Sequence, residues 1–358
     1  MRVTRLDITN LRAIPHATFH FQPGFNLLLG ANGIGKTTVL DALAACLAGA
    51  AAQHQRRNNG ALGALTDGDI HHAADTMTLA CRFRADDTEY TYHIHRDRHA
   101  DTHGAFQDAP PTTVPPGLLS RTDRGESLAD HAHWLQSPPP AAAPAIARVL
   151  AIMLPGYAGL RASADEPPRL LIERRDSADL IILDGRQLSD GERGLLDLTL
   201  ALTRRLLEAN PDLPSPTEQG EAVVLIDELE LHLHPRRQRR LVHDLGTAFP
   251  RCQFIATTHS PQIVGEVEGD RIQIIHPECV YSPSYAYGTD SSRILAEIMD
   301  TPPRNSKVGE LLSKISREMS QEDYDAARKL IQDLAAIVGE NDPEVVRAIS
   351  HLEFMEDD

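Results

Sequence analysis

The run FNLLLGANGIGKTT, Phe25 to Thr38, decides how the rest of the chain is read. Phe25 to Leu29 is a short β-rich apolar run, and Gly30 to Thr37 spells G-x-x-x-x-G-K-T between that strand and a helix from Lys36 to about Ala48. Glycines in such a loop let backbone N–H groups wrap a β-phosphate. The helix start adds the positive end of its dipole, Lys36 reaches the β- and γ-phosphates, and Thr37 can ligate magnesium. Asn32, Gly33, Gly35, Lys36, Thr37 and Thr38 are therefore the expected nucleotide-binding residues. Lys36 is the only lysine in the first 306 residues, where every other fixed side-chain cation is arginine. A chain so biased would use arginine here if any cation sufficed, so the compact ammonium is required.

Working outward, Val223-Val224-Leu225-Ile226-Asp227-Glu228 reads as a buried strand ending in two carboxylates, at the strand edge where α/β sheets hold ligands. Asp227 is placed to hold magnesium, directly or through water, and Glu228 to polarise an attacking water. Acidic residues after a strand also cap helices; the pairing with the glycine-rich loop favours the ligand reading. Between the two motifs, LSDGER (Leu188 to Arg193) opens a Leu-rich helix to about Ala209, with Ser189 as N-cap and Gly191 allowing close approach, a helix start suited to an anion. Ala256-Thr257-Thr258-His259-Ser260-Pro261 then follows a second apolar strand and puts His259 at its end.

The remaining organisation is coarser. Strands are expected at Val3 to Thr9, Ala17 to Phe21 after a turn at Pro15, and Phe25 to Leu29, then a hairpin of Thr78 to Arg84 and Glu89 to His95 around Asp86 and Asp87. From about 101 to 168 the texture turns Pro-rich, an insert of loops and short helices such as Ala145 to Leu154, without heptads. Strands resume at Leu170 to Glu173 and Leu180 to Leu183. Ala222 to Ile226 and Gln253 to Thr257 read as buried parallel strands with a helix around Arg237 to Ala248 between them. Residues 1–290 thus form one α/β unit, and 291–358 a helical region at Ser292 to Met299, Lys307 to Met319, Gln321 to Val338 and Pro343 to Glu353.

Composition narrows the class. The 358 residues are 41% hydrophobic, enough for a large core, and the net charge of -16 argues against a surface that is one phosphate-binding field. Cys46, Cys81, Cys252 and Cys279 form no CxxC pair, so neither a disulfide framework nor a zinc cluster is indicated. With no apolar leader and no run near the ~18 residues of a membrane span, the expected location is the cytoplasm, with no membrane contact.

With four motifs in this order, the chain resembles ABC-type ATPase heads, an α/β P-loop fold of two lobes. LIDELELHLHP, LSDGER and TTHSP are similar to the RecF- and SMC-related branch; transporter subunits usually carry LSGGQ. GER-x-LLDL-x-LALTRRLLEANP, FPRCQFIATTHSP and YGTDSSRILAEIM resemble the ATPases of Septu-type anti-phage systems (PtuA) and those encoded with some retrons. The resemblance covers nearly the whole chain and is most specific from Gln187 to Met299. It implies ATP and Mg2+ as cofactors, Glu228 and His259 as catalytic residues, and Thr37 and Asp227 at the metal. It further implies a homodimer or higher oligomer in which Ser189, Gly191 and Glu192 of one subunit contact the γ-phosphate held by the other, and an HNH nuclease partner, with the complex able to reach nucleic acid. The competing class is a RecF-like repair ATPase acting on DNA directly; a third is a nucleotide-gated scaffold. The chain departs from the family at Arg236-Arg237-Gln238-Arg239-Arg240, where relatives often carry a tryptophan-containing segment.

Weaker signals assign nothing. The Arg236 to Arg240 cluster reads first as a solvated helix start or an interface ion pair, and only second as a nucleic-acid contact. His93, His95, His99 and His103 lack ligand spacing. Asp323-Tyr324-Asp325 sits in a helical pattern where i and i+2 point apart, so no nuclease site is read there. No Q-loop glutamine can be picked between Ala50 and Arg82.

Overall fold

Apolar side chains surround every side of the helix that follows the glycine-rich loop, a pattern that demands burial all round. The computed structural model, which describes residues 1–54, 65–85, 88–107, 127–176, 179–302 and 304–356, puts that helix between two sheets. The first of two compact units, Met1–Ser291, begins β1 (Arg2–Leu11), β2 (Ile14–His20), β3 (Phe25–Leu29), α1 (Lys36–His54), β4 (Thr76–Ala85), β5 (Thr88–Asp97) and β6 (His103–Phe106). It continues through α2 (Leu128–Trp134), α3 (Ala142–Met153), β7 (Tyr157–Ala162), β8 (Leu170–Asp176), β9 (Asp179–Asp184), α4 (Asp190–Ala209) and α5 (Pro216–Gln219). Last come β10 (Ala222–Ile226), α6 (Pro235–Ala248), β11 (Cys252–Thr257), α7 (Pro261–Val264), β12 (Ile272–Ile275) and β13 (Val280–Tyr281).

Among the described residues these strands make three sheets, ordered β2-β1-β4-β5-β6, β10-β11-β3-β12-β13 and β7-β8-β9. The first is antiparallel, with one face inward: Val3, Leu6, Ile8, Leu79, Cys81, Phe83 and Ile94 are buried against α1. In the second, β10, β11, β3 and β12 run parallel and read as continuous buried runs. Buried Gln253 joins the two, its Oε1 accepting the Val3 amide at 2.7 Å and its Nε2 donating to the Val3 carbonyl at 2.8 Å. A polar side chain is tolerated there because its amide is satisfied.

The fold departs from the sequence expectations at definite places. Pro15 lies inside β2, not at a turn; Arg12, at φ 48°, and Ala13 make the turn. A proline lacking an N–H is compatible with β2 because that strand is an edge of its sheet. The stretch expected to be irregular holds two strands, β6 and β7. β7 pairs with β8 from Tyr157↔Arg174 to Ala162↔Leu170, partners that no local pattern announces. β12 and β13, not expected from the sequence, extend the parallel sheet. The hairpin tip at Asp86 and Asp87 and the Pro pairs at 110–111 and 115–116 lie outside the described residues.

The second compact unit spans Ser292–Asp358. α8 (Ser291–Arg293) runs on into a π-helical turn, Ile294–Ile298, followed by α9 (Ser306–Ser320), α10 (Tyr324–Val338) and α11 (Pro343–Glu356). The last three helices share a core of Val308, Ile315, Met319, Ala327, Ile331, Leu334, Val345 and Leu352. A two-pronged pair, Arg304 to Asp342 at 3.0 and 2.9 Å, ties the segment before α9 to the turn before α11.

Candidate functional site

Strand order builds the site. β11 lies between β3 and β10, with Leu28 paired to Thr257 and Ile226 to Ala256, so the C-terminal ends of all three strands open on one edge. From β3 springs the loop Gly30 to Gly35, from β10 Asp227 and Glu228, and from β11 Thr258 and His259.

The loop has the backbone its glycines permit. Gly30 stands at φ 146°, where a Cβ would meet the Ile275 carbonyl oxygen at 2.7 Å; Gly35 stands at φ 113°, where it would strike the Ile14 side chain at 2.9 Å. Asn32 and Gly33 are exposed, while Thr38 is buried in the first turn of α1. Lys36 is also buried, and its Nζ donates to the carbonyls of Gly30 at 2.8 Å and Ala31 at 3.0 Å, folding the ammonium over the loop. Burial pulls its pKa down, opposed by the charges of Asp227, Glu230 and Glu228.

Around Asp227 the ends of β10 and β11 and the first turn of α1 are hydrogen-bonded together. Thr37 Oγ1 donates to Asp227 Oδ2 at 2.8 Å, and Thr257 Oγ1 donates to Asp227 Oδ1 at 2.6 Å. The Thr257 hydroxyl accepts the Glu228 amide at 2.7 Å. Glu228 is at φ 51°, a left-handed conformation that costs a non-glycine residue on the order of 1 kcal/mol and is concentrated at functional sites. The side chain of Glu228 is exposed beside the loop. Thr37 and Asp227 converge as a hydroxyl and a carboxylate, hard oxygen donors of the kind that fit Mg2+.

His259 sits exposed at the end of β11, and its backbone is held by a residue the sequence reading passed over. Glu230 Oε1 accepts the His259 amide at 2.6 Å and Oε2 accepts Thr258 Oγ1 at 2.6 Å. Ser260 Oγ donates to Gln238 Oε1 at 2.7 Å, and Gln238 Nε2 to the Leu233 carbonyl at 2.8 Å. Thr257, Glu230 and Gln238 were all inside or next to motifs already singled out. What marks them is their contact across strands, which no linear spacing shows.

Ser189 caps α4 as expected. Its hydroxyl accepts the Glu192 amide at 3.3 Å, and its own amide and hydroxyl donate to Glu192 Oε2 at 3.2 and 2.8 Å, a reciprocal box. Glu192 Oε1 accepts the Tyr157 hydroxyl at 2.7 Å, which ties β7 to the helix start. Burial works against the Glu192 anion, yet the hydrogen bonds from Tyr157 and Ser189 hold its pKa below the ordinary value. Gly191 packs on the segment that follows Glu228. Among the described residues no hydrogen bond joins Ser189, Gly191 or Glu192 to the glycine-rich loop of the same chain.

Beside that contact a cavity of about 530 Å3 opens between α4 and the segment, lined by Arg186, Arg193, Leu195, Glu228, Leu229 and Leu233 among others. Of the weaker signals, Arg237 donates to the Met153 carbonyl at 3.0 Å and Arg240 lies 3.6 Å from Asp244. His95 pairs with Asp97 at 3.0 Å, His99 with Asp67 at 3.2 Å, and Asp323 caps α10.

Two family models match the chain: one described as "AAA domain, putative AbiEii toxin, Type IV TA system" over residues 153–265, the other as "AAA domain" over residues 5–108. The "Retron Ec83 probable ATPase" of Escherichia coli is 33% identical over 213 residues, 57% of this chain and 38% of that protein. "Septu protein PtuA" of Bacillus mycoides is 46% identical over 60 residues, 16% of this chain and 8% of that one. "DNA replication and repair protein RecF" of Cronobacter sakazakii is 35% identical over 102 residues, 28% and 26% respectively. The chain spans well under half the length of each of these relatives. An SMC head solved with the C-terminal winged-helix domain of ScpA aligns over 79% of this chain and 98% of its own, at 15% identity and a TM-score of 0.54, a likeness of fold.

Proposed function

We propose that this chain, an ABC-type ATPase head of the RecF- and SMC-like kind, binds and hydrolyses ATP with Mg2+ and serves as the sensor and regulatory subunit of an anti-phage defence complex. The observation that supports the ATPase reading is the joint Thr37–Asp227–Thr257–Glu228, which brings hydroxyls and two carboxylate residues together beside the glycine-rich loop. Its relatives, retron and Septu ATPases, support the setting in defence.

In this reading Gly30 to Gly35 wrap the β-phosphate with amides, and Lys36 exchanges its two carbonyl contacts for phosphate oxygens. Thr37 and Asp227 would hold Mg2+, which when bound would neutralise charge on the phosphate oxygens. Glu228 takes a proton from the attacking water as its oxygen bonds to the γ-phosphorus; the bond to the bridging oxygen breaks, and that oxygen leaves on ADP. His259 faces the γ-phosphate. Ser189, Gly191 and Glu192 act on the nucleotide of a second copy, so that ATP draws two heads together. The helical second unit contributes to the surface that docks an HNH-type nuclease and controls it. The complex works in the cytoplasm; among the described residues no helix is long and apolar enough to cross a membrane.

The test is to express the chain with its neighbouring gene, purify on a tag carried by this chain, and ask whether a nuclease co-elutes and whether its cutting responds to ATP. A neighbour that encodes no nuclease, or a chain that purifies alone and binds gapped DNA tightly at physiological salt, overturns the defence reading. That outcome would promote a RecF-like repair ATPase, the second reading, which the RecF similarity favours.

A further inference from the structure

We propose that Glu230 is a positioning residue for hydrolysis, its carboxylate holding the backbone of His259 so that the imidazole meets the γ-phosphate; this rests on the ATPase reading above. Both oxygens of Glu230 are committed to one loop, Oε1 to the His259 amide and Oε2 to the Thr258 hydroxyl, each at 2.6 Å. Bonds to an ionised acceptor are short and about twice as strong as neutral ones. Among the described residues no hydrogen bond reaches the exposed His259 ring, so its aim is set by the backbone that carries it.

Glu230 is a third carboxylate near Lys36, with Asp227 and Glu228. Asp227 is placed for the metal and Glu228 for the water; Glu230 spends its charge on the Thr258–His259 turn. Gln238 makes a second tie, bridging Ser260 to Leu233, so the histidine loop is strapped twice to the segment that follows Glu228.

The experiment compares Glu230→Ala, Glu230→Gln, His259→Ala and the Glu230→Ala/His259→Ala double variant of the full chain, by steady-state ATP turnover and by affinity for fluorescent mant-ATP. Thermal unfolding accompanies each. Glu230→Ala should lower kcat on the order of 10²-fold, the usual effect of a misplaced group, with mant-ATP affinity no weaker than wild type. Glu230→Gln should recover most of the loss, since its carbonyl can accept the His259 amide and its NH2 can donate to Thr258. The double variant should be no slower than His259→Ala, because Glu230 acts through that residue. Full additivity of the two alanine variants, unaltered turnover in either one, or lost mant-ATP affinity with kcat intact would overturn the proposal alone. A wild-type chain that binds mant-ATP and never turns it over would sink the hydrolysis reading as well.

Discussion

Gly191 rests on His232 so closely that a Cβ on the glycine would lie 2.4 Å from the His232 carbonyl oxygen. The glycine expected for close approach to an anion is thus also required by its own chain, because the obstructing atom is backbone and cannot rotate away. His232 itself stands at φ 60°. The contact fixes the start of α4 against the segment carrying Glu230.

Gly191→Ala should therefore destabilise the chain by about 1–3 kcal/mol, the usual result of overpacking. Gly194→Ala, one turn along the same helix and with nothing within 4 Å of its would-be Cβ, should stabilise by about 0.5–1 kcal/mol through helix propensity. Urea unfolding of both variants checks the pair. Equal effects would mean the His232 contact is not maintained in solution.

Lys36→Ala should lose ATP binding, since the cation that compensates the phosphates is gone. Glu228→Gln should bind ATP and turn it over about 10²–10⁴-fold more slowly, the typical loss of a general base. Mant-ATP titration and phosphate release distinguish the two; near-native turnover in both would remove the site assignment.

If Ser189 to Glu192 serve the partner's nucleotide, Lys36→Ala mixed with Ser189→Arg should regain part of the activity, because one site of the mixed dimer keeps an intact loop and an intact helix start. Phosphate release on mixing, with mixed dimers shown by differential tags, is the measurement. Strict inactivity of a formed mixed dimer would place the action of the helix start within its own chain.

Tyr157→Phe should show a pH-dependent cost. Glu192 has its folded pKa held below the ordinary value of about 4.3, so its stabilisation is present above that value and is lost as pH falls through the folded pKa. The variant should be less stable by about 1 kcal/mol at pH 7, a hydrogen bond to a partly exposed carboxylate, and the gap to wild type should narrow as pH falls below the ordinary glutamate range and through the folded pKa. Unfolding midpoints between pH 7 and pH 3.5 test this; a gap constant with pH would mean the Tyr157 bond does not favour the Glu192 anion.

The sequence by itself determined the pieces whose chemistry is contiguous. Glycines at Gly30 and Gly35 before Lys36, the apolar run into Asp227 and Glu228, and Ser189 three residues before Glu192 each carry their geometry in local backbone preferences, and each was legible. Only the tertiary structure decided that β11 lies between β3 and β10. Buried parallel strands are apolar throughout, so no run names its neighbour; the choice is made by helix packing on the sheet faces. That choice sets Thr257 between Asp227 and the Glu228 amide and puts Glu230 under His259, contacts between residues about thirty positions apart in the chain. For the same reason β12 was not expected from the sequence, being short and paired with the distant β3, whereas β7 pairs with the next strand, β8, and its run YAGLRA carries too little apolar alternation to announce a strand.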